Sequence, residues 1–150
     1  METKGAIPLI TVRNLQRKTS VNVAELETFA GNAAQYALQL QKRKRTDLCK
    51  LSKVFIWLIS DRRMALLHRK FLGQSGPTDV MTFQHGEIFI SVETARRHAR
   101  AFGNSLVREL KLYIVHGLLH LHGFDDQAPS EADKMKVAQE KIFRACSGAL

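Results

Sequence analysis

The sequence has few cysteines and few prolines: Cys49, Cys146 and three prolines occur among 150 residues. The two cysteines match neither a CxxC zinc knuckle nor the dense disulfide framework of a small secreted domain. No run approaches the roughly 18 apolar residues that a membrane span requires. No N-terminal stretch combines a basic start, a long apolar run and a small-residue cleavage site. These absences predict a cytoplasmic protein in a reducing compartment, without a membrane partner.

Acidic residues are also scarce, because 14 Asp and Glu stand against 23 Lys and Arg, and the net charge is +9. A positive field of this size attracts polyanions, and nucleic acid is the most abundant intracellular one. The densest basic run consists of Lys42, Arg43, Lys44 and Arg45. It follows an apolar-periodic segment and precedes a strand-like one, so it is predicted to be a loop. Two interpretations stay open for it, a solvated helix end or a secondary RNA contact.

Neither internal repeats nor a Pro/Gly-rich linker divides the chain, and 150 residues suit one domain with a single core. We therefore predict one domain over residues 1–150. Hydrophobic periodicity and capping residues predict its elements. The strands are expected near 7–12, 54–59, 79–83 and 87–91, the last two joined by a hairpin-length connection, and the helices near 20–38, 61–71, 92–102, 105–122 and 130–144. This order predicts an α+β fold, a small mixed sheet of about four strands packed with about five helices.

Two histidines, His116 and His120, lie four residues apart at the end of the most apolar predicted helix. At about 100° per residue this spacing leaves them roughly 40° apart and one turn along the axis, so both imidazoles can reach one ion. The helix therefore predicts a preformed bidentate metal site.

Gly123 is expected to end this helix and reverse the chain, which brings Asp126 back as a third ligand. The pattern is the HxxxHxxGxx(H/D) spacing of metzincin-type metal helices. His122 and Asp125 are rival third ligands, but His122 is expected to point roughly 200° away from His120. Three protein ligands leave a fourth tetrahedral position open, as in catalytic zinc sites. One Zn²⁺ is the predicted cofactor.

Gly117 stands at the position where a zinc protease of the HExxH kind has its glutamate base. The absence of this glutamate disfavours peptide hydrolysis. Phosphodiester cleavage instead can use a metal as Lewis acid, with basic side chains balancing the phosphate charge.

The same segment, HGLLHLHGFDD over residues 116–126, resembles the signature of the YbeY family of ribosomal-RNA maturation endoribonucleases. Further matches are TDVMTF at 78–83, GEIFIS at 86–91 and REL at 108–110. The resemblance implies a metalloprotease-like α+β fold, a single zinc, and metal-dependent cleavage of single-stranded RNA. It further implies a role in maturing the 3′ end of small-subunit ribosomal RNA and in ribosome quality control. The implied partners are the small ribosomal subunit and its assembly proteins.

Two positions depart from the family pattern. Asp126 stands where the family has a third histidine, and Leu72 stands where it has an arginine proposed to contact the scissile phosphate. Arg69, three residues earlier, is the residue predicted to take over that phosphate contact. Thr78 and Asp79 either shape the cleft and orient ligands or only end a strand. The leading alternative function is a ribosome-assembly factor that binds RNA, has little or no catalysis and uses its metal mainly for structure.

Overall fold

The computed structural model describes residues 7–147, and its strands form one mixed sheet. The strands are β1 (Leu9–Asn14), β2 (Lys53–Ile59), β3 (Val80–Phe83) and β4 (Glu87–Ser91), in the order β1-β2-β4-β3. β1, β2 and β4 run parallel, while β3 pairs antiparallel with β4. The predicted four-stranded sheet and the hairpin between its last two strands are therefore confirmed.

Residues 7–147 form six helices, one more than the sequence predicts. The additional helix is a single turn, too short to show a hydrophobic period, and the Thr46 side chain accepts a hydrogen bond at its start. None of the six is both long and apolar enough to cross a bilayer. The helices are α1 (Val23–Gln39), α2 (Asp47–Lys50), α3 (Asp61–Leu72), α4 (Val92–Phe102), α5 (Leu106–Leu121) and α6 (Pro129–Cys146).

Capping side chains set the helix starts. Ser60 and Ser105 each accept a hydrogen bond from a backbone N–H three residues later, at the beginnings of α3 and α5. The first helix begins at Val23 rather than near Ser20, because Asn22 is the residue that caps it. The other predicted boundaries lie within about two residues of the observed ones, the usual uncertainty of helix ends.

The helix α5 is the centre of the domain, since it packs against α1, α4 and α6 and against strands β3 and β4. Its Leu110, Ile114, Leu118 and Leu119 are fully buried. The opposite face of the sheet holds a smaller cluster around α3, formed by Ile59, Met64 and Met81. A helix enclosed on nearly every side is a rigid support, so side chains at its C-terminal end are held firmly in place.

Candidate metal centre

The C-terminal end of α5 brings together the three residues that the sequence predicts as metal ligands. The Nε2 atoms of His116 and His120 lie 3.0 Å apart. Asp126 Oδ2 lies 3.6 Å from the first and 3.7 Å from the second. Among the described residues these three form a group whose ligand atoms all lie within 4.8 Å of one another.

The chain reversal after α5 explains how Asp126 reaches the histidines. The N–H of His122 is hydrogen-bonded to the carbonyl groups of Leu118 and Leu119, which closes the last turn. Gly123 then adopts φ +84°, a left-handed conformation that side chains disfavour, and the Phe124 N–H returns to Leu119 O. The path therefore turns back over the end of the helix.

The hydrogen bonds on the far side of each imidazole test whether the site suits a metal. His116 Nδ1 lies 3.1 Å from Gln139 Oε1, and His120 Nδ1 lies 3.0 Å from the Phe124 carbonyl oxygen. Both partners are acceptors, so each Nδ1 carries the proton and each Nε2 presents a lone pair. Two lone pairs 3.0 Å apart repel unless a cation lies between them. Ligands of a tetrahedral zinc lie about 3.3 Å apart at bond lengths near 2.0–2.1 Å, so the residues fit a zinc ion.

Burial lowers the pKa of His116 below its ordinary value, and the neighbouring His120 lowers it further. Gln139, Asp126 and Asp79 act in the opposite direction. Neutral imidazole is the form that binds metal, so the lowered pKa favours the ligand form at neutral pH. The side chain of Asp126 is 42% exposed, against 31% for His116 and 27% for His120. The site therefore has one side open to solvent, where substrate can approach.

Gln139 is a residue that the sequence did not single out. It lies on α6, 23 residues beyond the histidine that it orients, and no local spacing connects the two. Replacing Gln139 with alanine is expected to weaken zinc binding about 10–100-fold, because His116 loses the partner that sets its tautomer and ring orientation. Competition titration with a chromophoric chelator measures this affinity. Lys136→Ala, an exposed change on the same helix, is the control, and equal affinity in the two variants would refute the orienting role.

His122 does not join the metal group, as its position on the helix predicts. His122 is only 2% exposed. Its Nε2–H donates to the Leu40 carbonyl oxygen at 2.8 Å, and its Nδ1 accepts from the Thr46 hydroxyl at 2.9 Å. One imidazole therefore connects the end of α5 to both ends of the segment between α1 and α2.

Burial lowers the pKa of His122 below its ordinary value of 6.5. The unfolded chain therefore takes up a proton more readily, so the stability from this group is complete above pH 6.5 and is lost as the pH falls below it. In chelator-treated protein, His122→Gln is expected to show a smaller loss of unfolding free energy between pH 7.5 and 5 than the parent. Urea unfolding at each pH measures it; equal pH slopes would contradict the prediction.

The acidic neighbours of the site face in different directions. Asp125 accepts a hydrogen bond from the Gln127 N–H, and it lies outside the metal group. Asp79 accepts from the N–H of Val80 and the hydroxyl of Thr78. Burial raises the pKa of Tyr113 on α5 and the negative charge of Asp79 raises it further, while the same charge opposes the lowering of the His116 pKa. Asp79 therefore acts electrostatically on two residues of α5 as well as ending a loop, and a role in shaping the cleft or orienting a ligand stays a prediction.

Arg69 lies exposed in the last turn of α3, and Leu72 ends that helix with 58% of its surface exposed. Among the described residues, Arg69 forms no ion pair or side-chain hydrogen bond. Its guanidinium is therefore available to a ligand, and its contact with phosphate stays a prediction.

A family model described as Endoribonuclease YbeY matches residues 11–147 of the chain. The chain belongs to this family. A family member from Anaeromyxobacter dehalogenans is 32% identical over 137 residues, which cover 82% of this chain and 71% of the relative. A family member from Thermus thermophilus is 38% identical over 102 residues, covering 60% of this chain and 73% of the relative.

Other YbeY relatives are longer than the region that they share with this chain. The matches cover 54% of a relative from an Anaeromyxobacter species and 66% and 59% of two Frankia relatives. A solution structure of a protein from Thermotoga maritima is similar with a TM-score of 0.61 and 25% identity, covering 93% of this chain and 89% of that one. This likeness supports the α+β fold. The metzincin-like character of the metal helix stays a prediction.

Proposed function

We propose that the chain is a zinc-dependent endoribonuclease that cleaves single-stranded RNA. The observation that carries the proposal is the pair of Nε2 atoms, 3.0 Å apart and within 3.7 Å of Asp126 Oδ2, in a member of the Endoribonuclease YbeY family. When bound, zinc supplies Lewis acidity and an acidified water molecule near neutral pH. His116, His120 and Asp126 would hold the ion, and the RNA would approach from the solvent-exposed side of Asp126.

The biological context is proposed from family membership and composition. We place the activity in the maturation of the 3′ end of small-subunit ribosomal RNA and in ribosome quality control, with the small subunit and its assembly proteins as partners. The net charge of +9 suits such an anionic substrate. The two free thiols, Cys49 and Cys146, suit a reducing cytoplasm.

Position 117 argues against a peptidase. A Cβ placed on Gly117 would lie 2.8 Å from Ile88 Cγ2 in strand β4, so a side chain here would enter the core. A glutamate side chain at this position would point toward Ile88 and away from the solvent-exposed side of the metal group. Peptide hydrolysis therefore has no general base at the position where HExxH enzymes have theirs.

The second candidate is a ribosome-assembly factor with a largely structural metal site. Leu72 favours it, since the position of the expected phosphate-binding arginine is apolar and 58% exposed. The nuclease proposal predicts that metal-loaded protein cleaves single-stranded RNA in preference to duplex RNA. It also predicts that His116→Ala abolishes this cleavage. Undiminished binding to small subunits with no cleavage of either RNA would favour the assembly factor.

Arg69 is the proposed substitute for the arginine missing at Leu72. Arg69→Gln is expected to lower kcat/KM for single-stranded RNA about 10–100-fold, the range of a charge-assisted hydrogen bond of about 1.5–3 kcal/mol. Arg62→Gln, an exposed arginine near the start of the same helix, controls for net charge. Initial cleavage rates measure both, and equal rates in the two variants would remove Arg69 from the phosphate site.

A further inference from the structure

The loop Lys42–Arg45, here called the basic loop, carries four consecutive cationic residues, all of them exposed. None of the ion pairs within residues 7–147 involves these side chains. Cations at a helix end usually complement the helix dipole. Here the last helical residue is Gln39, so the four charges lie beyond the final turn of α1. The dipole alone therefore does not account for the run.

His122 holds this loop against the metal helix. Its imidazole binds the residue Leu40, which lies shortly before the loop, and the residue just after it, Thr46, at 2.8 and 2.9 Å. Because the side chains of His122 and Thr46 are buried, separating the loop from α5 would leave polar groups unpaired, at a cost of about 1–3 kcal/mol for each group that stays buried. The basic loop is thus fixed at both ends to the residue that follows α5.

Lys42, the first residue of the basic loop, also contacts the residues that lead to the metal ligands. Lys42 Nζ lies 4.0 Å above the centroid of the Phe124 ring, a cation–π contact. The Phe124 carbonyl oxygen accepts from His120 Nδ1, and Asp126 follows two residues later. A Cβ placed on Gly123 would lie 3.3 Å from Lys42 Cε, so the lysine stem packs closely on the chain reversal. Phe124 therefore connects the basic loop to the metal ligand His120, because its ring contacts Lys42 and its carbonyl oxygen orients the imidazole.

We propose that the basic loop is a binding site for the phosphate backbone of the RNA strand that enters the metal centre. This inference rests on the proposed nuclease function and assigns its substrate contacts. Cations beside a metal centre hold the strand by counterion release and independently of base sequence. They would also supply cationic contacts that the apolar Leu72 cannot make.

The experiment compares two variants that lose the same charge. Arg43→Gln/Lys44→Gln removes two cations from the basic loop, and Arg96→Gln/Arg100→Gln removes two exposed cations from α4. Zinc-loaded protein is titrated into a fluorescein-labelled single-stranded RNA of about 12 nucleotides, and anisotropy gives Kd at several NaCl concentrations. Each anisotropy reading is taken within the time for which a gel shows the RNA to be intact, and cleavage is followed separately at longer times with excess RNA.

The basic-loop pair is expected to weaken binding roughly tenfold or more near 0.1 M salt, and to reduce the slope of log K against log salt by about 1.4, or 0.7 for each lost phosphate contact. The α4 pair is expected to change both quantities much less. Equal weakening by the two pairs would overturn the proposal in favour of a general field effect. Unchanged RNA affinity in the loop pair would overturn it in favour of another ligand, such as an acidic protein segment.

The two proposals fail in different ways. If the parent protein binds RNA more tightly than the loop pair but does not cut it, the nuclease function is contradicted and the loop assignment is supported. RNA that the loop pair binds and cuts like the parent contradicts the loop assignment and supports the nuclease function. A parent protein that binds no single-stranded RNA overturns both.

Discussion

His120→Ala is expected to abolish stoichiometric zinc binding and to reduce RNA cleavage to the level of chelator-treated protein. Loss of a direct ligand should cost more than the 10–100-fold typical of losing an outer hydrogen-bond partner. His120 contributes one of the two Nε2 atoms that meet at 3.0 Å, and its own Nδ1 is held by the Phe124 carbonyl. Without it, His116 and Asp126 cannot enclose the ion. Elemental analysis and initial cleavage rates measure the two effects.

The matched control for this ligand variant is Asp125→Asn. Asp125 is adjacent to the third ligand and carries the same charge, but its side chain accepts from the Gln127 N–H and lies outside the metal group. The control should keep one zinc per chain. Zinc at full stoichiometry in His120→Ala, or its loss in Asp125→Asn, would show that the ligands are assigned wrongly.

Gly117→Ala is expected to destabilise the domain, although alanine favours helices over glycine. The new Cβ would lie 2.8 and 2.9 Å from two side-chain carbon atoms of Ile88, closer than carbon atoms pack. Such overpacking costs about 1–3 kcal/mol, against a helix-propensity gain of up to about 1 kcal/mol. Because Ile88 is β-branched and fully buried in the central sheet, it has little freedom to move aside. Urea unfolding of chelator-treated protein measures the net effect.

A double-mutant cycle with Ile88→Ala isolates the clash. Ile88→Ala alone leaves a cavity, and Gly117→Ala partly fills it in the double variant. The double variant should therefore be more stable than the sum of the two single changes predicts. Additive changes, or a Gly117→Ala protein as stable as the parent, would mean that α5 and β4 are not packed as closely as the structure shows.

The metal helix is the part of the site most accessible to sequence reasoning, because its geometry is local. A four-residue spacing puts His116 and His120 on one face, and a glycine after the last apolar residue marks the chain reversal. The four strands and five of the helices are likewise visible in periodicity and capping residues. The one-turn α2 is not, since four residues hold too little pattern.

The contacts that could not be predicted from the sequence are those between residues that only the folded chain brings together. Gln139 meets His116 only because α6 packs along α5, and His122 meets Thr46 across 76 residues. No periodicity encodes such pairs. The basic loop shows the same limit, because its charges are plain in the sequence while its position beside Phe124 follows only from the folded chain.

The most direct test of the zinc-dependent nuclease is a zinc titration of metal-free protein in which bound zinc and the rate of single-stranded RNA cleavage are followed together. The rate is expected to rise in proportion to bound zinc and to reach its plateau at one ion per chain, while His116→Ala and Asp126→Ala proteins show neither tight binding nor the rise. Cleavage by metal-free protein at the full rate, or tight zinc binding that brings no cleavage, would contradict the proposed function.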